Sequence, residues 1–173
     1  SYNFIIMNCK LALEKLIHSY ELYYDIYTQD IVAPFVAEAE FKSHTEKFLL
    51  VKAAKIADID SNEFVYFYCD ETHADFILSS QKIIELAQTA WERGLARITP
   101  YYGHRNTDIS LIILADKISE ESFKTIKKLK FYKSYKFGFY GWSSFRALVY
   151  ETSTGRSVTN RRGSDLKKLV DSL

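Results

Sequence analysis

Cations set among aromatic rings are the residues of this chain best suited to chemistry. Positions 131–142 read Phe-Tyr-Lys-Ser-Tyr-Lys-Phe-Gly-Phe-Tyr-Gly-Trp. Lys133, Lys136, Arg161 and Arg162 can neutralise phosphate, while Tyr135 and Trp142 can stack on bases. An ordinary strand would also look like this, because rings favour sheets and Lys heads reach water from an apolar stem. A second candidate is the stretch Tyr101-Tyr102-Gly103-His104-Arg105, a loop ahead of a buried strand, where Tyr101, His104 and Arg105 could contact a ligand. Asp70-Glu71-Thr72-His73-Ala74-Asp75 offers oxygens and nitrogens to a metal, but acidic residues before a helix are more simply caps and dipole partners. The remaining histidines, His18, His44 and His104, are dispersed. Neither a nucleophile elbow nor a phosphate-binding Gly-rich loop is present, so the patterns assign no catalytic residue, no metal and no cofactor.

The charge is unevenly divided. Residues 121–173 carry 12 of the 23 Lys and Arg against four acidic residues, net +8, which leaves residues 1–120 at −7 behind a formal total of +1. A cationic last third of this kind attracts polyanions. A hydrophobic content of 47% excludes disorder, and 13 Tyr and 12 Phe point to a ring-rich core and surface. At 173 residues the chain fits one domain, residues 1–173, able to bury a core without staples. Cys9 and Cys69 have no metal-ligand spacing. They read as reduced thiols in a cytosolic protein, with a single disulfide as the alternative. The longest apolar runs, Leu111–Ala115 and Val65–Cys69, fall far short of the ~20 residues of a membrane span, and Ser1–Ile6 lacks the basic region of a secretory signal.

The elements that must position these residues follow from periodicity. Cys9, Leu13, Leu16, Tyr20, Tyr23 and Tyr27 recur at helical spacing behind an Asn8 cap, predicting a helix from Cys9 to Tyr27. Phe35, Ala37, Ala39 and Phe41 alternate with Val36, Glu38, Glu40 and Lys42, a strand whose second set should face solvent. Ser43–Glu46 reads as a turn into a strand at Lys47–Ile56, and Phe64–Cys69 as a strand buried on both faces, completing an antiparallel meander. A helix is expected over 74–93, ended by Gly94, then a strand at Asp108–Ala115. Ser119 should cap a third helix, with Ile118 and Phe123 as its hydrophobic staple. Ser134–Trp142 and Phe145–Thr152 read as strands, the first closing a right-handed crossover with Asp108–Ala115. Gly155 makes a turn into Ser157–Asn160, and Ser164 caps a short final helix. The order is α-β-β-β-α-β-α-β-β-α: an α/β fold, with α+β as the alternative, built on a mixed, mostly antiparallel sheet of five to seven strands flanked by helices.

The stretch Asp108–Asn160, with Asp108-Ile-Ser-Leu-Ile-Ile-Leu-Ala-Asp116, Lys133–Trp142 and Arg146-Ala-Leu-Val-Tyr150, resembles a family of uncharacterised archaeal and clostridial domains with no assigned activity. That resemblance implies a prokaryotic protein and carries over no catalytic residue. The order helix, three-strand meander, helix, strand is also similar to the core of restriction-endonuclease-like proteins. Such proteins hold Mg²⁺ on two carboxylates beside a Lys, a pattern that Asp30 and Glu40-Phe41-Lys42 would satisfy. Three functional readings follow. The first is a non-catalytic cytoplasmic binding or assembly domain, with a homodimer through its aromatic surface as partner. The second is nucleic-acid binding or Mg²⁺-dependent cleavage, and the third a small-molecule enzyme using the Tyr101–Arg105 loop. The substrate stays unknown, and no membrane partner is expected.

Overall fold

Three largely apolar runs, Phe64–Cys69, Ile109–Ala115 and Ala147–Tyr150, become the central strands of a sheet. A computed structural model describes residues 6–42, 61–70, 76–100 and 106–173. The strands are β1 (Asp25–Tyr27), β2 (Ala37–Lys42), β3 (Ser61–Cys69), β4 (Asn106–Ala115), β5 (Tyr132–Ser134), β6 (Trp142–Glu151) and β7 (Arg156–Thr159). They form one seven-stranded sheet in the order β1-β2-β3-β4-β6-β5, with β7 beside β5 on the outer edge of β6. β3, β4 and β6 run parallel, and the other four pairings are antiparallel. The mixed, mostly antiparallel α/β sheet expected from the sequence is therefore present.

Strand alternation divides the core into two layers. Phe64, Tyr66, Ile109, Leu111, Ile113, Phe145, Ala147 and Val149 face α2 (Ser80–Ala96) and α3 (Glu120–Lys128). Val65, Phe67, Ile112, Leu114, Leu148 and Tyr150 face α1 (Cys9–Tyr20) and the C-terminal segment, a 3₁₀ turn at Arg161–Leu166 leading into α4 (Lys167–Val170). Among the described residues, no helix is long and apolar enough to cross a membrane. Two helix starts follow the sequence closely. Asn8 Oδ1 accepts the Leu11 N–H at 2.8 Å, and Ser119 Oγ accepts the Ser122 N–H at 3.2 Å, with Ile118 and Phe123 both buried behind it.

Other boundaries differ. α1 stops at Tyr20 instead of Tyr27, because the Tyr20 and Tyr24 rings meet edge-on at 4.7 Å while Tyr24 also packs against Phe41 at 5.5 Å. The tyrosine row thus folds over the end of the sheet, and Tyr27 enters β1. The first strand of the meander is consequently β1, and the predicted strand at Lys47–Ile56 lies outside the described residues. α2 begins at a Ser79 cap and continues through Gly94, which is no terminator: a Cβ there would stand 2.6 Å from Ile109 side-chain atoms, so glycine lets the helix approach β4. Glu38 and Glu40, assigned to solvent by alternation, are buried at 3% and 8% exposure, because α2 covers that face of β2.

The aromatic run is not a strand from Ser134 to Trp142. β5 ends at Ser134, and Lys136, Phe137, Gly138 and Gly141 adopt positive φ values of 48°, 56°, 91° and 82°, reversing the chain into a hairpin with β6. The parallel neighbour of β4 is therefore β6, one strand later than expected. Cys9 and Cys69, favoured as reduced thiols, are joined in a disulfide that ties α1 to β3.

The last turn is capped by Asn160 in place of Ser164. Asn160 is 1% exposed; its Oδ1 accepts from the N–H groups of Ala147 and Gly163 at 3.0 and 2.9 Å. Its Nδ2 donates to the carbonyls of Leu129 and Phe145, both at 3.0 Å. Four backbone groups from β6, the end of α3 and the C-terminal turn thus depend on one amide. Asn160→Ala should lower stability by about 2–4 kcal/mol, since truncation leaves buried donors and acceptors unpaired. A urea midpoint shift at constant slope measures this.

Candidate functional site

Central strands seldom carry charge, yet β3, β4 and β6 each place an ionisable side chain on the α1 face near their N-terminal ends. Glu63 and Asp108 are register partners, and Arg146 lies two residues beyond Ser144, the partner of Asp108. Arg146 Nη1 stands 2.7 Å from Glu63 Oε2 and 3.7 Å from Asp108 Oδ2. Glu63 also accepts the hydroxyls of Tyr24 at 2.9 Å and Ser110 at 3.3 Å, so both of its oxygens are bonded. Tyr20, Tyr23 and Tyr24 line a cavity of about 280 Å³ with Glu63, Arg146 and Asp165.

The electrostatics follow from burial. The Tyr20 hydroxyl is pushed well up, first by burial and then by the Glu63 charge, and Tyr24 is raised by burial, Glu63 and Tyr20. Both phenols therefore stay neutral donors. Burial opposes the Arg146 charge, but Glu63 and Asp108 more than offset it. Burial raises the Asp108 carboxyl to about 6, against the lowering pull of Arg146, with Glu63 pushing further up and Arg162 and an Asn106 hydrogen bond pulling down.

A second buried network sits on the opposite face. Arg97 of the α2 C-terminus reaches Glu38 at 3.3 Å, Glu40 at 3.2 Å and the Tyr66 hydroxyl at 3.3 Å, with its guanidinium 4.1 Å from the Phe64 ring centroid. Glu40, the nuclease-like candidate, is thus held by Arg97. Asp30 occupies the exposed loop after β1 with a left-handed φ of 55°. The Lys42 side chain, and Tyr101, His104, Arg105 and 71–75 of the acidic cluster, lie outside what the structure describes.

The predicted cationic residues separate. Arg161 and Arg162 join Lys127, Lys128 and Lys130 around a groove of about 650 Å³. Lys133 pairs in register with Ser143 and so lies on the α2/α3 face, its ammonium 5.5 Å from the Tyr135 ring centroid, while the Tyr135 hydroxyl bonds Ser143 at 2.9 Å. Lys136 is in the hairpin tip, and Trp142 projects from the α1 face.

A family model described as a domain of unknown function, DUF8052, matches residues 8–172. The chain belongs to the DUF8052 family. This match extends well beyond the C-terminal part in which the sequence resemblance was read, and takes in α1, both ion networks and the cationic groove. No curated protein and no solved structure matches the chain. The sequence reading missed Glu63, Asp108 and Arg146 as a group. Their signal was a charge inside an otherwise apolar strand, visible in Glu63-Phe-Val-Tyr-Phe, Asp108-Ile-Ser-Leu-Ile and Phe145-Arg-Ala-Leu-Val.

A raised carboxyl pKa has a definite sign in stability. The native state holds the Asp108 proton more tightly than the unfolded chain, so its contribution falls as pH rises from 3.8 to about 6. Asp108→Asn removes that penalty. The variant should resist urea better than the parent above pH 6, with the advantage shrinking toward pH 4. Urea midpoints across that pH range test this.

Proposed function

We propose that this DUF8052 protein is a binding domain for polyanions, nucleic acid in particular. One observation carries the reading: five cations from two separated stretches, Lys127, Lys128 and Lys130 at the C-terminal end of α3 and Arg161-Arg162 after β7, line a single groove. Leu129 is the only other lining residue among those described. Arg146 and Arg156 do not add to it, since Glu63 and Glu120 hold them. Lys and Arg lining a groove bind phosphates by releasing counterions, which makes affinity fall with salt.

Fluorescence anisotropy with a labelled single-stranded oligonucleotide tests this. Five phosphate contacts should give a slope of log K against log salt near about −3.5, and roughly a hundred-fold loss between ~50 and ~200 mM salt. The Arg161→Glu, Arg162→Glu double variant should lessen the slope by at least about 1.4. Absence of binding at the lower salt would remove the reading.

A second reading, self-association through the hairpin between β5 and β6, is favoured by Phe137 at 100% and Phe139 at 69% exposure. Light scattering should then report a dimer that Phe137→Ser converts to monomer. A monomeric parent at high concentration excludes it.

A further inference from the structure

The α1 face of the sheet carries a compact row of groups beside the cationic groove. Register places Tyr132 of β5 opposite Ser144 of β6, and Ser144 opposite Asp108 of β4; in the next row Ser134, Trp142 and Asn106 stand side by side. Cross-strand partners project from the same face, with neighbouring strands about 4.8 Å apart. α1 ends at Tyr20, whose charged neighbours are Glu63 and Arg146, one strand and one row away from these groups. Tyr132 is 54% exposed and Trp142 36%.

Beside those rings lie polar atoms that the protein leaves unanswered. Ser144 is 3% exposed and its Oγ has no hydrogen-bond partner among the described residues; the buried Oδ1 of Asn106 has none either. Buried polar atoms are nearly always paired, so two orphans in adjacent rows point to a ligand that supplies the missing bonds. The Asp108 carboxylate stands next to both, its side chain 26% exposed. Arg162 connects this row to the groove, because it lines the groove and its charge also acts on Asp108.

We propose that Tyr132, Trp142, Asn106, Asp108 and Ser144 form a nucleobase platform for single-stranded nucleic acid whose phosphates occupy the neighbouring cationic groove. The proposal rests on the polyanion reading and specifies its ligand. Rings on an open sheet face stack any base, and duplex pairing withholds both the base faces and the Watson–Crick edges. The ionised Asp108 carboxylate, with its side chain 26% exposed, is an acceptor only, so it selects an edge made of donors. Guanine presents two N–H donors side by side on its Watson–Crick edge, whereas thymine presents one flanked by carbonyls. The platform therefore prefers guanine.

Anisotropy titrations at about 50 mM salt, with oligo-dT of about 12 nucleotides, the same strand carrying isolated dG, and its duplex, separate the cases. The dG-bearing single strand should bind tightest. Trp142→Ala and Tyr132→Ala should each weaken single-strand binding by roughly ten-fold without altering the salt slope. Asp108→Asn should bring dG-bearing strands close to oligo-dT, again at constant slope. Equal affinity for duplex and single strand, or no response to either ring substitution, overturns the platform while the groove stands. If no oligonucleotide binds, the groove reading fails, and guanosine monophosphate then probes the platform alone. Quenching of tryptophan fluorescence that Trp142→Phe abolishes upholds it, and no quenching removes it.

Discussion

The arrangement on which the rest of this fold turns is the Arg146 guanidinium held against Glu63, with Asp108 close by, inside the face of a parallel sheet. Charges in that position are costly unless paired, and removing one partner from a buried pair typically costs about 3–5 kcal/mol. Because Glu63 and Arg146 come from β3 and β6, on either side of β4, pairing them fixes how those strands line up. A slip of one residue would turn Glu63 or Arg146 to the other face, away from the partner that neutralises it. The hydroxyls of Tyr24 and Ser110 complete the shell around Glu63, so the end of α1 and the chain entering β1 are set by the same carboxylate.

The opposite end of the strands solves a different problem with similar means. Asp116 Oδ1 accepts the Cys9 N–H at 3.0 Å and the Thr152 hydroxyl, starting α1 against the end of β4. Glu151 accepts the Ile118 N–H at 2.7 Å and the Thr154 hydroxyl, which seats the entry to α3 above the β6–β7 turn. Carboxylates there satisfy backbone donors that strand ends would leave open. Between these polar ends the two core layers are apolar, and the helices are free to pack by shape. What this leaves on the surface is a cationic groove where α3 ends and the C-terminal turn begins, and a row of rings and acceptors beyond the reach of α1.

The local signals were legible where one residue acts on its own neighbours. Asn8 and Ser119 cap their helices because a side-chain oxygen needs only a donor three residues away. The β3 and β4 runs were legible because strands buried on both faces must be apolar throughout. Legibility failed where a distant partner decides. Tyr23 and Tyr27 continue a helical period, but Phe41 and the sheet edge draw the tyrosines away from it. Gly94 reads as a terminator until Ile109 shows why a side chain is excluded there. The ring-rich run satisfies strand propensity, but its glycines at 138 and 141 take positive φ and reverse the chain.

The sequence by itself determined the class of fold, the Asn8 and Ser119 helix caps, the apolar central strands and the excess of cations in the last third, because composition and short-range periodicity express those directly. Only the tertiary structure decided that Arg161 and Arg162 join the lysines at the end of α3, that Arg146 is instead neutralised by Glu63, and that Lys133 and Tyr135 lie on the other face from Trp142. Each of these depends on strand order and register. Side chains alternate between faces with every residue, so the neighbour that sets a charge's role is placed by the partner strand and not by the adjoining sequence.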